Sequence, residues 1–248
     1  MFVRPLVVGR LKASEQVLYQ GGNPEVEVPF VSYMHYIETD LMRIVVDTGF
    51  GDLENCRKAM PVECGRNDGE SVAAALALVG CLPAEIDTVI LTHCHWDHVG
   101  GLEEFANATV YCQRTEIEHA LCAPEWVSGQ YPRAFAHHLV SVSDRIVPLD
   151  GDSTIDRGVR VRVVGGHSPG SQFVEVADEG RLVIMTGDAV LYHSNLEKNV
   201  PVGSCTCLKD SVQALSYLRG LALEDPELIV FPGHDPKTYE LYGKGLEV

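Results

Sequence analysis

Thr92-His93-Cys94-His95-Trp96-Asp97-His98 decides how the rest of the chain is read. Three imidazoles and a carboxylate fall within positions 93–98. The apolar run 88–91 leads straight into them, and in extended chain residues two apart share a face. His93 and His95 therefore point at one ion. Asp97 and His98, in the turn that follows, reach a second. Imidazole and carboxylate are ordinary zinc ligands, at about 2.0–2.2 Å. A lone histidine is ordinarily exposed or hydrogen-bonded, but this many donors in one short stretch crowd polar groups where no core can use them.

Working outward, three further segments repeat the design. Residues 159–164 run into Gly165-Gly166-His167-Ser168-Pro169-Gly170, residues 182–185 into Thr186-Gly187-Asp188, and residues 228–231 into Pro232-Gly233-His234-Asp235. Each is an apolar run that ends in a turn carrying a His or an Asp. Glycine lets such turns be tight. Strand ends lying side by side would bring these side chains into one cleft.

The alternation of apolar positions predicts strands over 6–8, 31–36, 43–46, 88–91, 109–111, 159–164, 173–176, 182–185 and 228–231. Helices are expected over 70–79, 115–121 and 208–218, with Thr115 and Glu118 as a capping box. Turns near 38–40 and 177–180 read as hairpins. Many strands with few helices fit a mixed sheet, or two sheets with helices outside, better than a doubly wound parallel sheet. Segment 122–145 has little periodicity and reads either as a lid over the site or as a surface excursion.

The chain has 248 residues, is 46% hydrophobic and 22% charged, and carries a formal charge of −16. That length buries roughly 70–75% of the extended surface, enough for a core without disulfides. So acidic a chain repels phosphate backbones and anionic lipids, so neither nucleic acid nor a membrane surface is an expected partner. No run approaches the ~20 apolar residues of a membrane span. The amino end, Met1-Phe2-Val3-Arg4-Pro5, lacks the pattern of a secretion signal. Eight cysteines without a Cys-x-x-Cys suggest a reduced setting, and the expected location is the cytoplasm.

His93-x-His95-x-Asp97-His98, followed by His167, Asp188 and His234, resembles the ligand set of the metallo-β-lactamase superfamily. The resemblance runs from Val45-Val46-Asp47-Thr48-Gly49 to Pro232-Gly233-His234-Asp235. It implies an α+β fold, an αββα sandwich formed by one domain over 1–248, with metals at one edge. It also implies two divalent ions. His93, His95 and His167 would hold one, Asp97, His98 and His234 the other, and Asp188 would bridge them. Zinc suits these ligands, and manganese, iron or cobalt fit the same set. Asp47 is expected beside the site rather than on an ion.

The subfamily signals narrow this. His98 stands where the main class of true β-lactamases draws a Cys from another segment. The superfamily's nucleic-acid processors carry an inserted domain for which this length leaves no room. Its flavin-linked iron oxidoreductases place a Glu where His95 stands. Gln113-Arg114-Thr115-Glu116-x-Glu118-x-Ala120-Leu121, Gly166-His167-Ser168-Pro169-Gly170 and Val200-Pro201 resemble the N-acyl-homoserine lactone lactonases, the quorum-quenching class, and their relatives. Those enzymes have a Tyr three residues after the bridging Asp. Here that position is Leu191, and Tyr192 follows it.

The resemblance thus implies a hydrolase that opens a lactone by attack of a metal-bridging hydroxide. Asp97 would orient the nucleophile and carry the proton. At the position of the family tyrosine, either the local backbone shifts, or Tyr192 or His193 meets the substrate carbonyl from another angle, or the substrate differs. Specificity is expected from Met34, His35, Phe50, His193 and segment 122–145, including Trp126. The alternatives are a thioester hydrolase of the glyoxalase II type, a mononuclear iron persulfide dioxygenase and a non-catalytic metal scaffold. The partner is a small lactone or ester, and the oligomeric state, homodimer included, stays open. His119, His137 and His138 match no motif and read as surface or hydrogen-bonded residues.

Overall fold

The structure, a computed structural model, describes residues 1–59, 62–122 and 133–248, with the side chains of 59 and 133–135 left aside. Its strands are β1 (Phe2–Ser14), β2 (Glu27–Glu38), β3 (Arg43–Val46), β4 (Cys64–Gly65), β5 (Thr88–Ile90), β6 (Thr109–Gln113), β7 (Ile146–Leu149), β8 (Ser153–Asp156), β9 (Val159–Val163), β10 (Gln172–Asp178), β11 (Arg181–Met185), β12 (Ile229–Phe231) and β13 (Leu246–Glu247). One sheet runs β13-β1-β2-β3-β5-β6-β7, with β4 against β1, and the other runs β12-β11-β10-β9-β8.

Strand alternation explains why the two sheets stack. Ile44 and Val46 of β3 point inward, as do Val174 of β10 and Val183 and Met185 of β11. With Val3, Ile37, Ile90 and Phe231 they form the dry layer between the sheets. The residues in alternate register, Val45 and Val89, face the outer layer with Val72, Leu76, Leu102 and Phe105. On the far side, Phe173 and Ile184 meet Ala214, Leu215 and Leu218 of the helix Leu208–Glu224. Period-two faces buried on both sides require helices outside each sheet, which gives the expected αββα sandwich.

Strand direction then places the site. β3 and β5 are parallel, so 47 and 91–98 leave the first sheet at one end. β11 and β12 are parallel, and β9 is antiparallel to β10, which is antiparallel to β11. The turns after β9, β11 and β12 therefore emerge together. The sheets are stitched there: Gln172 N donates to the Thr92 carbonyl (3.0 Å) and Gln172 Nε2 to that of Leu91 (2.8 Å).

Several expectations need correction. β1 extends well beyond 6–8, pairing with β2 from Phe2↔Glu38 to Ser14↔Glu27 around a bulge between Val7 and Gly9. Arg4, Pro5, Gly9, Arg10 and Lys12 break its apolar pattern without breaking its ladder. β4, β7, β8 and β13 lie outside the strands that the sequence predicts. The helix Arg114–Cys122 starts one residue early, so Thr115 lies inside its first turn and not ahead of it. Segment 122–145 is not irregular throughout: Arg133–Ser141 is a helix, and Leu139 and Val142 are buried in the outer layer. Among the described residues no helix is long and apolar enough to cross a membrane.

Candidate metal centre

Four segments deliver the donors, and all seven side chains are buried. The loop after β5 carries His93 and His95, and the short helix Trp96–Val99 carries Asp97 and His98. The turn after β9 carries His167, the 3-10 turn Gly187–Ala189 carries Asp188, and the turn after β12 carries His234. The ligand atoms of His93, His95, His167 and Asp188 lie within 4.8 Å of one another, as do those of Asp97, His98 and His234.

Asp188 faces both sets. Its Oδ2 is 3.4 Å from His167 Nε2 and 3.9 Å from His93 Nε2. Its Oδ1 is 3.0 Å from His234 Nε2 and 3.3 Å from His98 Nε2. Asp97 Oδ2 is 3.5 Å from His234 Nε2. Donors around one tetrahedral cation with bonds of about 2.1 Å stand about 3.4 Å apart. In the first set, His95 Nδ1 also lies 2.9 Å from His93 Nε2 and 2.8 Å from His167 Nε2. His98 Nε2 and Asp188 Oδ1 are buried without a hydrogen bond of good geometry. Convergent nitrogens and carboxylate oxygens of this kind fit divalent cations.

The outward nitrogens are tied. His98 Nδ1 lies 2.8 Å from Asp47 Oδ2, His234 Nδ1 3.0 Å from the Val31 carbonyl and His167 Nδ1 2.6 Å from the Ser204 carbonyl. His93 Nδ1 sits 3.1 Å from Thr92 Oγ1, which donates to Asp47 Oδ2. Each acceptor keeps a proton on the outer nitrogen and leaves the inner lone pair for a cation. Asp47 itself has φ of +60°, a left-handed backbone that aspartate tolerates. That conformation also lets its Oδ1 accept from Thr92 N (2.8 Å).

Backbone spacing at the centre is equally tight. A Cβ on Gly233 would come within 2.6 Å of Asp188 Oδ1. Only glycine lets the strand carrying His234 approach the central carboxylate so closely.

Burial and charge set the ring protonation. Burial drives His93 and His95 well below the usual histidine range, helped by neighbouring imidazoles. Burial opposes charge on His98 too, but Asp47, Asp188 and Asp97 outweigh it and hold the ring well above that range. His234 is raised against burial by Asp188 and Asp97. Asp188 is held well below the carboxylate range, again against burial, by His234 and His98.

One further residue is central to this arrangement. Glu116 is completely buried. Its Oε1 accepts from Cys94 N (3.0 Å), between the two histidines of the first loop. Its Oε2 accepts from Ser168 Oγ (2.7 Å) and Gly170 N (2.9 Å), in the loop of His167. A polar residue in a helix gives no sign in the sequence that it is buried beneath two loops.

The pattern of the metallo-beta-lactamase superfamily matches residues 28–234, which hold every one of these donors. The chain belongs to that superfamily. Within the superfamily it resembles an N-acyl homoserine lactonase of Bacillus cereus, 29% identical over 215 residues, covering 82% of this chain and 80% of that protein. An N-acyl homoserine lactone hydrolase solved with N-hexanoyl-L-homoserine at its catalytic metal centre superposes with TM-score 0.78, at 23% identity, over 96% of this chain and 95% of that one. A dizinc quorum-quenching lactonase superposes with TM-score 0.75, at 17% identity, over 94% and 87%. The two structural likenesses establish the metallo-beta-lactamase fold, and the sequence match places the chain beside the superfamily's lactonases.

The remaining expected site residues are differently placed. Met34 and Phe50 are fully buried, Met34 in the outer layer and Phe50 against Trp96 at 5.6 Å between ring centroids. His35 is buried between Tyr33 and Phe231, at 5.6 and 5.5 Å. These three therefore offer no open surface to a substrate. His193 Nδ1 and N both meet Asp235 Oδ2, at 2.7 and 2.9 Å, and its Nε2 meets the Val230 carbonyl at 3.1 Å. Tyr192 donates its hydroxyl to the Pro29 carbonyl and packs on Phe30, 5.8 Å between centroids. Phe30 in turn stacks on the His234 ring at 4.8 Å. Leu191 is fully buried. Trp126 lies outside the described residues.

Proposed function

We propose that this chain is a dinuclear metal-dependent lactonase. The observation that carries the reading is Asp188, whose two oxygens face two separate histidine sets, in a chain that matches lactonases along most of its length. His93, His95 and His167 would hold one divalent cation, Asp97, His98 and His234 the second, and Asp188 both, with zinc the best match to the donors. When bound, such a pair lowers the pKa of a water towards neutrality and polarises an ester carbonyl.

The chain's own groups do the rest. The tied outer nitrogens fix the rings of His93, His98, His167 and His234, so these ligands need little reorganisation when a substrate arrives. Asp97 is buried, with Oδ2 close to His234 and Oδ1 3.9 Å from His98 Nε2, so its carboxylate can take the proton from the attacking water and pass it to the leaving alkoxide. Phe30, held by Tyr192 and pressed on His234, forms an apolar wall beside that ring. In this arrangement Tyr192 acts through Pro29 and Phe30, and His193 through Asp235, next to His234.

The test is a panel of acyl-homoserine, γ-, δ- and aromatic lactones, together with S-lactoylglutathione, using protein of measured metal content. Turnover of a lactone, abolished in His167→Ala, is the expected result. Cleavage of the thioester alone, or of nothing on the panel, would overturn the reading.

A further inference from the structure

We infer that Glu103, His137 and His138 form a third divalent-cation site, separate from the centre described above. Their ligand atoms lie within 4.8 Å of one another. Glu103 Oε1 is 3.7 Å from His137 Nε2 and 3.4 Å from His138 Nδ1. Both distances are longer than the usual 2.9–3.0 Å of an N–H···O hydrogen bond, and only the 3.4 Å contact of His138 is close enough to act as a weak one. They match the roughly 3.4 Å between donors that share a tetrahedral cation at about 2.1 Å.

The helix geometry is unusual in a way that favours a shared ligand. Neighbouring residues on a helix point about 100° apart. Here His137 and His138 bring their rings to 3.9 Å between centroids. One presents Nε2 and the other Nδ1 to the same carboxylate oxygen. His138 is nearly buried, with 11% of its side chain exposed, while His137 and Glu103 are about half exposed, at 54% and 51%. One side of the cluster is thus fixed by packing and the other is open to solvent, which would supply the remaining ligand.

The donor set of two imidazoles and one carboxylate takes zinc, nickel or copper(II). A cation there would join two pieces of the outer layer. Glu103 lies in the 3-10 turn Leu102–Glu104, soon after the helix that carries Asp97 and His98. The histidines lie in the helix Arg133–Ser141, which packs against both. The site would act as a clip that fixes this helix over the ligand-bearing segment.

Zinc titration followed by metal counting tests this on the intact chain, with His137→Ala and Glu103→Gln as variants. Both residues are half exposed, so neither change should prevent folding, and circular dichroism checks that. Wild type should hold one more equivalent of zinc per chain than His137→Ala, and Glu103→Gln should bind that equivalent at least tenfold more weakly. A cobalt(II) difference spectrum between wild type and His137→Ala should show the bands of a four-coordinate site. Equal stoichiometry in wild type and His137→Ala would overturn the inference. Because the readout is a difference of one equivalent, it stands apart from how many ions the main centre takes.

Discussion

In the half of the candidate metal centre built from His93, His95 and His167, one buried carboxylate grips two loops. Glu116 takes Cys94 N, Ser168 Oγ and Gly170 N and so locks two loops into register. Ring ties occur in both halves, from Thr92 Oγ1 on His93 and the Ser204 carbonyl on His167 in the first, and from Asp47 on His98 and the Val31 carbonyl on His234 in the half built from Asp97, His98 and His234. The Glu116 anchor is what sets the first half apart. The difference follows from where each donor sits. The first half depends on two long turns from different sheets, which need a common anchor. The second depends on a short helix and a strand end that the sheets already hold, so only ring orientation is left to set.

Asp188 is shared by the two halves, so its loss should produce the largest effect. Asp188→Ala should lower kcat/KM by roughly 10³-fold or more, equivalent to about 4 kcal/mol of transition-state stabilisation. Metal content should fall in both halves together. Retention of both ions at unchanged affinity would separate the halves entirely.

Glu116→Gln should come next. It places an amide N–H₂ against backbone N–H groups and leaves buried donors unpaired, at a cost of roughly 1–3 kcal/mol. Metal binding should weaken by about 10–100-fold, mainly for the first ion, in stepwise calorimetric titration. Asp47→Asn should weaken the second ion by up to about the same factor, because Asp47 Oδ2 faces His98 Nδ1. If the two variants weakened the same ion, the comparison between the halves would fail.

The smallest expected effect concerns His35, buried between Tyr33 and Phe231. Burial, with His98 adding to it, lowers its pKa to about 3. The folded state therefore binds fewer protons there than the unfolded state, whose value is near 6.5. Stability should fall as pH drops below about 6.5, at up to about 1.4 kcal/mol per pH unit from this one residue, until the folded value is reached. In chelated protein, urea unfolding of His35→Leu between pH 4.5 and 7 should show an acid limb shallower by about one proton. Parallel limbs would mean that His35 is not the buried neutral group described.

The site was more legible in the sequence than the scaffold around it. Residues 93–98 crowd their donors into one turn, and His167, Asp188 and His234 each follow an apolar run, so local pattern was enough to pick them out. Asp47 sits at a strand end, and its carboxylate lies against His98. β1 is longer than its apolar run predicts because Arg4, Arg10 and Lys12 alternate with buried positions on a long strand with exposed residues. β7, β8 and β13 are short pieces whose pairing depends on distant partners. The burial of Met34, His35 and Phe50 and the bonds made by Glu116 depend on how the two sheets meet, and no run of local residues encodes that.

Diffraction from zinc-loaded crystals, with anomalous data at the metal edge, tests the central claim most directly. The account predicts two peaks at the centre, about 3.5–4 Å apart. One should lie within bonding distance of His93, His95 and His167, the other of Asp97, His98 and His234, with one oxygen of Asp188 on each. A single peak there, or a second ion bound without His234 and Asp188, would contradict it.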